Sequence, residues 1–308
     1  MNILVTGGAG FIGSHVVEKL LMEECHVVVI DDLSTGIRDH VPAGVKFIKM
    51  DICSEELLDV FVKERFDAVI HLAAQTMVPV SLNKPDYDCQ VNLLGTVNVL
   101  EACRKTGVKR VVFSSTAAVY GDVDIVPIVE SAATRPTSFY GLSKLSVEKY
   151  LQMYQQIFGL EYVVLRYANV YGERQGDGGE GGVISIFTRK IDKNQILSIY
   201  GNGDQSRDFI YAGDVAAANY QALMTSHVNG IYNISTQTEV SVNQLITILG
   251  QIAGREVQKQ HCPAREGDIY RSSLSNQAAR EKLGWQCEML LADGLAQTYR
   301  DIRKGVQP

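Results

Sequence analysis

The sequence predicts an α/β protein built on a doubly wound parallel sheet with a smaller mixed α/β substrate lobe. Three observations predict it: short apolar runs alternate with segments of helical periodicity, a glycine-rich turn follows the first run, and the alternation stops near residue 170. Uninterrupted β-branched runs are typical of strands buried on both faces of a parallel sheet. The predicted strands are residues 3–6, 27–30, 47–50, 68–72, 110–114 and 162–166.

Helical periodicity fills the gaps between these runs. Residues 13–23, 55–64, 91–106 and 140–158 carry it, and a final amphipathic helix is expected at 293–304. A strand–helix–strand alternation repeated this often implies right-handed crossovers, with ligands at the carboxyl ends of the strands. The glycine- and charge-rich residues 173–182 are predicted to be a loop.

Composition excludes several classes of function. The net charge is −6 and no basic run is present, which argues against a nucleic-acid partner. The six cysteines contain no C-x-x-C pair and the six histidines show no ligand spacing, so no protein-bound metal is expected. No apolar run approaches the roughly 20 residues of a membrane span. The chain opens on a strand without a basic leader, so we expect a cytoplasmic protein.

The strongest local signal is the glycine-rich turn after the first strand. Gly8, Gly10 and Gly13 have G-x-G-x-x-G spacing, which permits a tight turn and close approach of the backbone to a pyrophosphate at a helix N-terminus. Asp31 ends the second strand, where a carboxylate accepts hydrogen bonds from ribose hydroxyls and repels a 2′-phosphate. The turn therefore predicts NAD rather than NADP. The residues predicted to bind it here are Gly7, Gly10, Phe11, Ile12, Gly13 and Asp31.

A tyrosine and a lysine four residues apart form the second motif, Tyr140-Gly141-Leu142-Ser143-Lys144. Residues at i and i+4 share one helical face. The ammonium of Lys144 would therefore favour the phenolate of Tyr140 and lower its pKa, which makes a general base near neutral pH. None of the other 13 tyrosines has a lysine four residues later. As isolated neighbours the two would be ordinary surface residues.

Hydroxyl side chains form the third motif, Ser114-Ser115-Thr116, directly after an apolar strand. This position lies at the ligand-bearing end of the predicted sheet. Hydroxyls there can hydrogen-bond a substrate oxygen as it loses its proton. The alternative is a set of turn-forming hydroxyls that only cap the strand end.

These three segments together resemble the extended short-chain dehydrogenase/reductase superfamily, and the resemblance runs through nearly the whole chain. Within it, the sequence is most similar to UDP-glucose 4-epimerases and related UDP-hexose epimerases. The resemblance implies a Rossmann-type NAD-binding domain at 1–169 with a return segment near 208–236, and a substrate lobe formed mainly by 170–207 and 237–308.

Further segments match this family and imply roles for their residues. Asp51 and Ile52 match its adenine contact, His71-Leu72-Ala73-Ala74 resembles a cofactor-lining segment, and Asn92 opens an N-x-x-G-T-x-N-V-L-E-A-type helix. The cofactor residues implied are Asp51, Ile52, Leu72, Ala73, Ala74, Asn92, Ser114, Tyr140 and Lys144. The substrate residues implied are Thr116, Tyr140, Asn169, Tyr200, Arg207, Arg265 and Asp268. Among these, Tyr200 would pack on uracil, while Asn169 and the two arginines would hold the diphosphate.

The resemblance also implies an activity. Tyr140, Lys144 and Thr116 would be catalytic: Tyr140 takes the proton of the sugar 4-hydroxyl, Thr116 hydrogen-bonds the reacting oxygen, and Lys144 tunes Tyr140 and holds the nicotinamide ribose. The expected reaction is NAD-dependent C4 epimerisation of a UDP-hexose through a 4-ketose. A homodimer packed through the helices containing Val91 and Tyr140 is expected by the same analogy.

Other readings stay open at this point. Related dehydratases and decarboxylases usually carry an acidic residue just after the threonine, whereas this chain has Ala117 and Ala118. A dinucleotide-sensing protein without catalysis would not need Tyr140, Lys144 and Thr116 together. The small side chain of Ser272 would leave room for an N-acetyl group on the sugar. UDP-GlcNAc and UDP-GalNAc are therefore further candidate substrates. A UDP-glucuronate 4-epimerase is a further alternative.

Overall fold

A computed structural model describes residues 1–123, 125–176, 182–264 and 269–304. Its strands are β1 (Asn2–Thr6), β2 (His26–Asp31), β3 (Lys46–Lys49), β4 (Ala68–His71), β5 (Arg110–Thr116), β6 (Glu161–Tyr167), β7 (Asn169–Tyr171), β8 (Leu197–Tyr200), β9 (Ser206–Arg207), β10 (Phe209–Tyr211), β11 (Gly230–Ile234), β12 (Val240–Ser241), β13 (Lys259–Cys262) and β14 (Arg271–Ser272). Its α-helices are α1 (Phe11–Met22), α2 (Leu57–Glu64), α3 (Val78–Asn83), α4 (Pro85–Asp88), α5 (Thr96–Thr106), α6 (Phe139–Phe158), α7 (Val183–Asp192), α8 (Ala212–Met224), α9 (Val242–Ala253) and α10 (Leu291–Lys304).

Seven strands form one parallel sheet in the order β3-β2-β1-β4-β5-β6-β11. The order reverses between β1 and β4, so chain crossovers leave in opposite directions from this point and open a crevice at the carboxyl ends of the strands. The predicted doubly wound sheet is confirmed. Strand β11 pairs in parallel with β6 at the edge of the sheet.

Each face of the sheet packs against its own apolar cluster. Successive side chains of β5 point alternately into the two clusters. Val111 and Phe113 face a cluster that includes Val147 and Leu151 of α6, whereas Val112 faces the cluster on the other side, with residues of α1 and α8. Side chains alternate between faces along a strand, so Ser115 continues the face toward α6. This alternation matters because β5 and α6 together carry the catalytic candidates.

A third apolar cluster supports the smaller lobe. It combines buried residues of α7, β8, α9 and α10, among them Ile184, Leu197, Leu245 and Leu295. Short strands complete the lobe: β8 pairs with β13, and β9 lies between β12 and β14. The mixed character of this part matches the predicted substrate lobe, while the residue boundaries of the division stay a prediction.

The predicted helix at 91–106 differs from the structure. A π-helical turn, Cys89–Gly95, precedes α5, so the helix begins earlier and is wider at its start. Gly95 packs against Ile52, and a Cβ at this position would lie 2.7 Å from the Ile52 Cδ1 atom. Apolar periodicity does not distinguish a single π-turn from α-helix, and such turns are frequent at functional sites.

None of the helices in the described ranges has both the length and the apolar character needed to cross a membrane.

Candidate active site

A cleft of about 530 Å³ lies at the carboxyl ends of the sheet strands, where the strand order reverses. Its size is within the usual range for cofactor and substrate pockets. Most of the predicted cofactor and catalytic residues line it, together with Asn169 from the predicted substrate residues. They are Gly7, Gly10, Phe11, Ile12, Gly13, Asp31, Asp51, Ile52, Leu72, Ala73, Ala74, Ser114, Thr116, Tyr140, Lys144 and Asn169.

The glycine turn has no space for side chains. Gly7 has a φ of +71°, and a Cβ there would lie 2.6 Å from the Ala73 nitrogen. A Cβ at Gly13 would lie 2.0 Å from the Gly7 oxygen. The turn ends at α1, whose first turn has no acidic residue and whose start has no side-chain cap. Its backbone N–H groups and positive helix end therefore suit a pyrophosphate.

Asp31 lies at the end of β2 with 7% of its surface exposed. Its carboxylate accepts hydrogen bonds from the backbone N–H groups of Ala9 and Leu33, each at 2.9 Å. An ionised carboxylate only accepts hydrogen bonds, so Asp31 suits the hydroxyl donors of a ribose. Gly7, Gly13 and Asp31 thus fit the ribose and pyrophosphate of NAD, and the apolar Ile52 side chain fits an adenine ring beside them.

Tyr140 is held at the start of α6. The Ser138 side chain caps this helix by accepting a hydrogen bond from the Gly141 N–H at 3.1 Å. Tyr140 is half-buried and faces the cleft from the first turn. Lys144, one turn later, is 3% exposed and also lines the cleft. The predicted pair therefore shares the same helical face and the same cavity.

The Lys144 ammonium is fixed against β5. It donates a hydrogen bond to the Ser114 carbonyl oxygen at 2.9 Å and lies 4.8 Å from the centroid of the Phe113 ring. Burial lowers the pKa of Lys144 from 10.5 to about 8, and the charge of Asp88 acts in the opposite direction. At neutral pH Lys144 is therefore mainly cationic.

Thr116 ends β5 and lines the cleft beside Ser114. Its hydroxyl oxygen accepts a hydrogen bond from the Ala118 N–H at 3.1 Å, which caps a short 3-10 turn over Ala117–Val119. A hydroxyl has one hydrogen and two lone pairs, so this contact leaves the Thr116 O–H able to donate to a ligand.

Two residues from the predicted segments lie behind the cleft instead of lining it. Asn92 is 1% exposed, and its side-chain amide bonds the backbone of Gln75, the carboxylate of Asp88 and the hydroxyl of Ser143. His71 is 1% exposed, and burial lowers its pKa to about 3, so it is neutral. Asn92 thus connects helices and loops under the site, and a direct role in holding the cofactor stays a prediction.

The residues predicted to bind the nucleotide part of the substrate lie in the smaller lobe. Tyr200 ends β8 opposite Cys262 of β13, and Arg207 lies in β9 opposite Ser272 of β14. Neither is among the residues that line the 530 Å³ cleft. The predicted Arg265 and Asp268 lie outside the described residues.

Several residues that line the cleft were not predicted from the sequence. They are Ile30, Asp32, Ser34, Thr35, Met50, Gln75, Thr76, Met77, Tyr87, Val91, Tyr167, Ala168, Val170, Gln175 and Gly182. Many of them directly follow β2, β4 or β6. The rule that ligands bind at the carboxyl ends of parallel strands could have found these, but it does not say how far along each loop the cleft extends.

No group of three or more His, Cys, Asp or Glu side chains in the described part of the chain is arranged to hold a metal ion.

Comparison with known proteins identifies the family. The model of the NAD dependent epimerase/dehydratase family matches residues 3–235. The chain belongs to this family. The match covers the seven-stranded sheet up to β11 and every described residue that lines the cleft, so the resemblance predicted from the motifs is confirmed.

Solved members of the epimerase/dehydratase family share the whole fold. The UDP-glucose 4-epimerase of Thermotoga maritima, solved with UDP-glucose, is 41% identical and superposes with a TM-score of 0.97 over 100% of both chains. The UDP-glucose 4-epimerase of Thermus thermophilus, solved with NAD, is 41% identical with a TM-score of 0.94, over 99% of this chain and 100% of that one. The UDP-N-acetylglucosamine 4-epimerase of Methanobrevibacter ruminantium, in complex with UDP-N-acetylmuramic acid, is 32% identical with a TM-score of 0.94 over 99% of both chains.

Proposed function

We propose that this chain catalyses NAD-dependent epimerisation at C4 of a UDP-hexose, with UDP-glucose and UDP-galactose as substrates. One observation carries the proposal: Tyr140, Lys144 and Thr116 line a single cleft with the glycine turn and Asp31. The two structural neighbours at 41% identity, solved with UDP-glucose and with NAD, support the same assignment.

Held at the glycine turn and Asp31, NAD would supply reversible hydride acceptance at C4 of the sugar. Tyr140, as phenolate, takes the proton of the sugar 4-hydroxyl at its Oη atom. The Thr116 O–H donates to the reacting oxygen, and the Lys144 ammonium stabilises the phenolate. The sugar becomes a 4-ketose, which turns about its diphosphate linkage, and Tyr140 then gives the proton back to the oxygen of the inverted carbon.

Rotation of the sugar requires a nucleotide anchor that stays fixed. We assign this anchor to Asn169 at the cleft, Tyr200 and Arg207 in the lobe, and Arg265 and Asp268 from the sequence. Asn169 begins β7, and its backbone N–H donates to the Asp208 backbone carbonyl oxygen at 2.9 Å. Binding energy from the nucleotide end then orients the sugar at the reacting end.

Dehydration or decarboxylation is disfavoured by the residues beside Thr116. Ala117 and Ala118 occupy the 3-10 turn that follows it, and alanine cannot exchange protons. Among the described residues that line the cleft, the carboxylates are Asp31, Asp32 and Asp51, which lie on the β2 and β3 side with the glycine turn. No described carboxylate lies beside Tyr140 and Thr116 in the cleft to act as a second acid or base.

A UDP-N-acetylhexosamine is the second candidate substrate. Ser272 is small, and it lies opposite Arg207 in the pairing of β14 with β9, near the proposed nucleotide anchor. The Methanobrevibacter ruminantium neighbour is a UDP-N-acetylglucosamine 4-epimerase, which is consistent with a family site that accepts the larger sugar.

We also propose a cytoplasmic homodimer. Helix α6 presents an unpartnered apolar stripe in the monomer: Leu142, Tyr150, Met153 and Ile157 are between 42% and 61% exposed. Leu94, in the neighbouring π-turn, is 53% exposed. An apolar stripe of this kind suits a two-fold interface in which the same helices of two copies pack together.

Purified protein incubated with UDP-glucose, UDP-GlcNAc and UDP-glucuronate without added cofactor tests the assignment. We expect conversion of UDP-glucose to UDP-galactose, because NAD copurifies with the protein and is regenerated in each cycle. A 4-epimer of UDP-GlcNAc would add the second substrate. Bound NAD without turnover of any of the three would support the non-catalytic alternative, and conversion of UDP-glucuronate alone would support a uronate epimerase.

A further inference from the structure

Glu148 carries a buried charge that the proposed mechanism does not use. It lies in α6 with 1% of its side chain exposed and forms an ion pair with Arg166 of β6, which is 3% exposed. The pair is bidentate: Arg166 Nε donates to Oε1 at 2.9 Å and Nη2 donates to Oε2 at 2.6 Å. A buried carboxylate with this partner is held in one position, because the two parallel hydrogen bonds fix its plane.

Ser115 completes the arrangement. Its hydroxyl donates to Glu148 Oε1 at 2.6 Å, and an ionised carboxylate can only accept, so the Ser115 hydrogen is directed at Glu148. Ser115 and Arg166 are also direct neighbours in the pairing of β5 with β6. The three side chains therefore form a closed triangle between α6 and two adjacent strands.

This triangle lies one turn from the catalytic pair. Tyr140, Lys144 and Glu148 are spaced by four residues and share one face of α6. Lys144 bonds the carbonyl of Ser114, and Glu148 bonds the hydroxyl of Ser115. Two successive turns of α6 are thus joined to two successive residues of β5, and the next residue of that strand is Thr116.

Further contacts fix the triangle from behind. The Arg166 guanidinium lies 4.7 Å from the centroid of the Tyr120 ring, and its Nη1 donates to the Glu130 carbonyl oxygen at 3.4 Å. Glu130 in turn accepts from the Asn233 backbone N–H in β11 at 2.8 Å. The support extends from β11 through β6 to α6, so Glu148 is anchored to the sheet and not only to its own helix.

We propose that Glu148 and Ser115 are positioning residues that set the register of α6 against β5, and with it the distance between the Tyr140 hydroxyl and the Thr116 hydroxyl. Ser115 lines the cleft, but its hydroxyl hydrogen is directed at Glu148, so both residues act through the catalytic residues. The proposal rests on the proposed epimerase function. A displacement of about 1 Å between reacting groups lowers turnover by up to about 100-fold, which is enough for such a role to matter.

The test compares Ser115→Ala, Glu148→Gln and the double variant with the wild-type holoenzyme. We expect kcat for UDP-glucose to fall roughly 10- to 100-fold in each single variant, while KM and the affinity for UDP change less than twofold. Because Ser115 acts through Glu148, the double variant should be no slower than Glu148→Gln alone. Independent structural losses would instead multiply.

Glu161→Gln is the matched control. Glu161 pairs with Arg110 across the same two strands, at their opposite ends, with a 2.8 Å contact. This variant should lose stability while keeping wild-type kcat, measured well below the unfolding temperature of every variant. Ser115→Ala leaves no buried charge unpaired, so it remains informative if Glu148→Gln does not fold.

The outcomes separate the two proposals. A wild-type protein without turnover of any UDP-hexose overturns the proposed function, and the positioning role with it. An active wild type with Ser115→Ala within twofold of its kcat overturns only the positioning role. If Glu161→Gln loses as much kcat as Glu148→Gln, the positioning role is also overturned, because the effect would then be general destabilisation.

Discussion

Three hydroxyl-bearing residues follow one another at the end of β5, and they face different partners. Ser115 donates to Glu148 on the α6 side, whereas Thr116 accepts from Ala118 and keeps its own hydrogen for a ligand. The sequence predicted this run as a group and singled out Thr116 by family resemblance. It could not separate Ser115 from Thr116 by physical argument, because strand alternation shows that they face opposite sides but not which side holds Glu148.

Tyr140→Phe removes the proposed base without changing the shape of the site. We expect kcat to fall by roughly 10²- to 10⁴-fold, the usual range for loss of a general base, with the Kd for UDP unchanged because the nucleotide anchor lies elsewhere. Tyr150→Phe, at an exposed position of the same helix, is the control and should keep full activity. Turnover of Tyr140→Phe close to that of the wild type would remove Tyr140 as the base.

The pKa of Lys144 determines where kcat/KM should fall at alkaline pH. Burial lowers its pKa to about 8, so the ammonium is present below that pH and is lost as pH rises through it. Since the proposed role of the ammonium is to stabilise the Tyr140 phenolate, kcat/KM should decline above about pH 8. Lys149→Met, an exposed change on the same helix, should keep this profile, and Lys144→Met should lose the limb along with most activity. A wild-type profile that stays level to pH 10 would contradict the assignment.

At the scale of elements, the sheet strands were predictable and the π-turn was not. Runs such as 3–6 and 110–114 are buried on both faces, which imposes an uninterrupted apolar pattern that the sequence displays directly. The turn Cys89–Gly95 depends on contacts of Asn92 with Gln75 and Ser143, which lie far away in sequence. Local periodicity contains no information about such partners.

Ser138 caps the first turn of α6, which contains the proposed base Tyr140. We therefore expect its loss to lower both the stability of the protein and its turnover. Ser138→Ala should lower the free energy of unfolding by about 1 kcal/mol, measured by denaturant titration, and should also lower kcat. Ser241→Ala removes the comparable cap of α9 and should cost a similar free energy with kcat unchanged. Equal effects of both variants on kcat would show that the α6 cap has no special link to turnover.

At the scale of the whole molecule, the substrate lobe was the least predictable part. Its strands are as short as two residues: Ser206–Arg207 pairs with Val240–Ser241 and with Arg271–Ser272. Strands of two residues show no periodicity that a sequence pattern could reveal. The sequence nevertheless indicated the lobe, because the alternation of strands and helices stops near residue 170.

The apolar stripe of α6 makes the proposed dimer testable. Met153→Glu places a charge in the middle of the stripe and should shift the protein to monomers in sedimentation velocity experiments, because an unpaired carboxylate is costly to bury in an interface. Met224→Glu is the matched control, since Met224 is 52% exposed at the end of α8 and away from the stripe. A dimer that survives Met153→Glu unchanged would place the interface elsewhere.

In the proposed reaction a single hydride leaves C4 and returns to its opposite face within one site. UDP-glucose deuterated at C4, incubated with the purified protein and no added cofactor, tests this by mass and NMR analysis of the product. We expect UDP-galactose that retains the deuterium at C4, with none released to water. Product that has exchanged its deuterium for solvent hydrogen would contradict it.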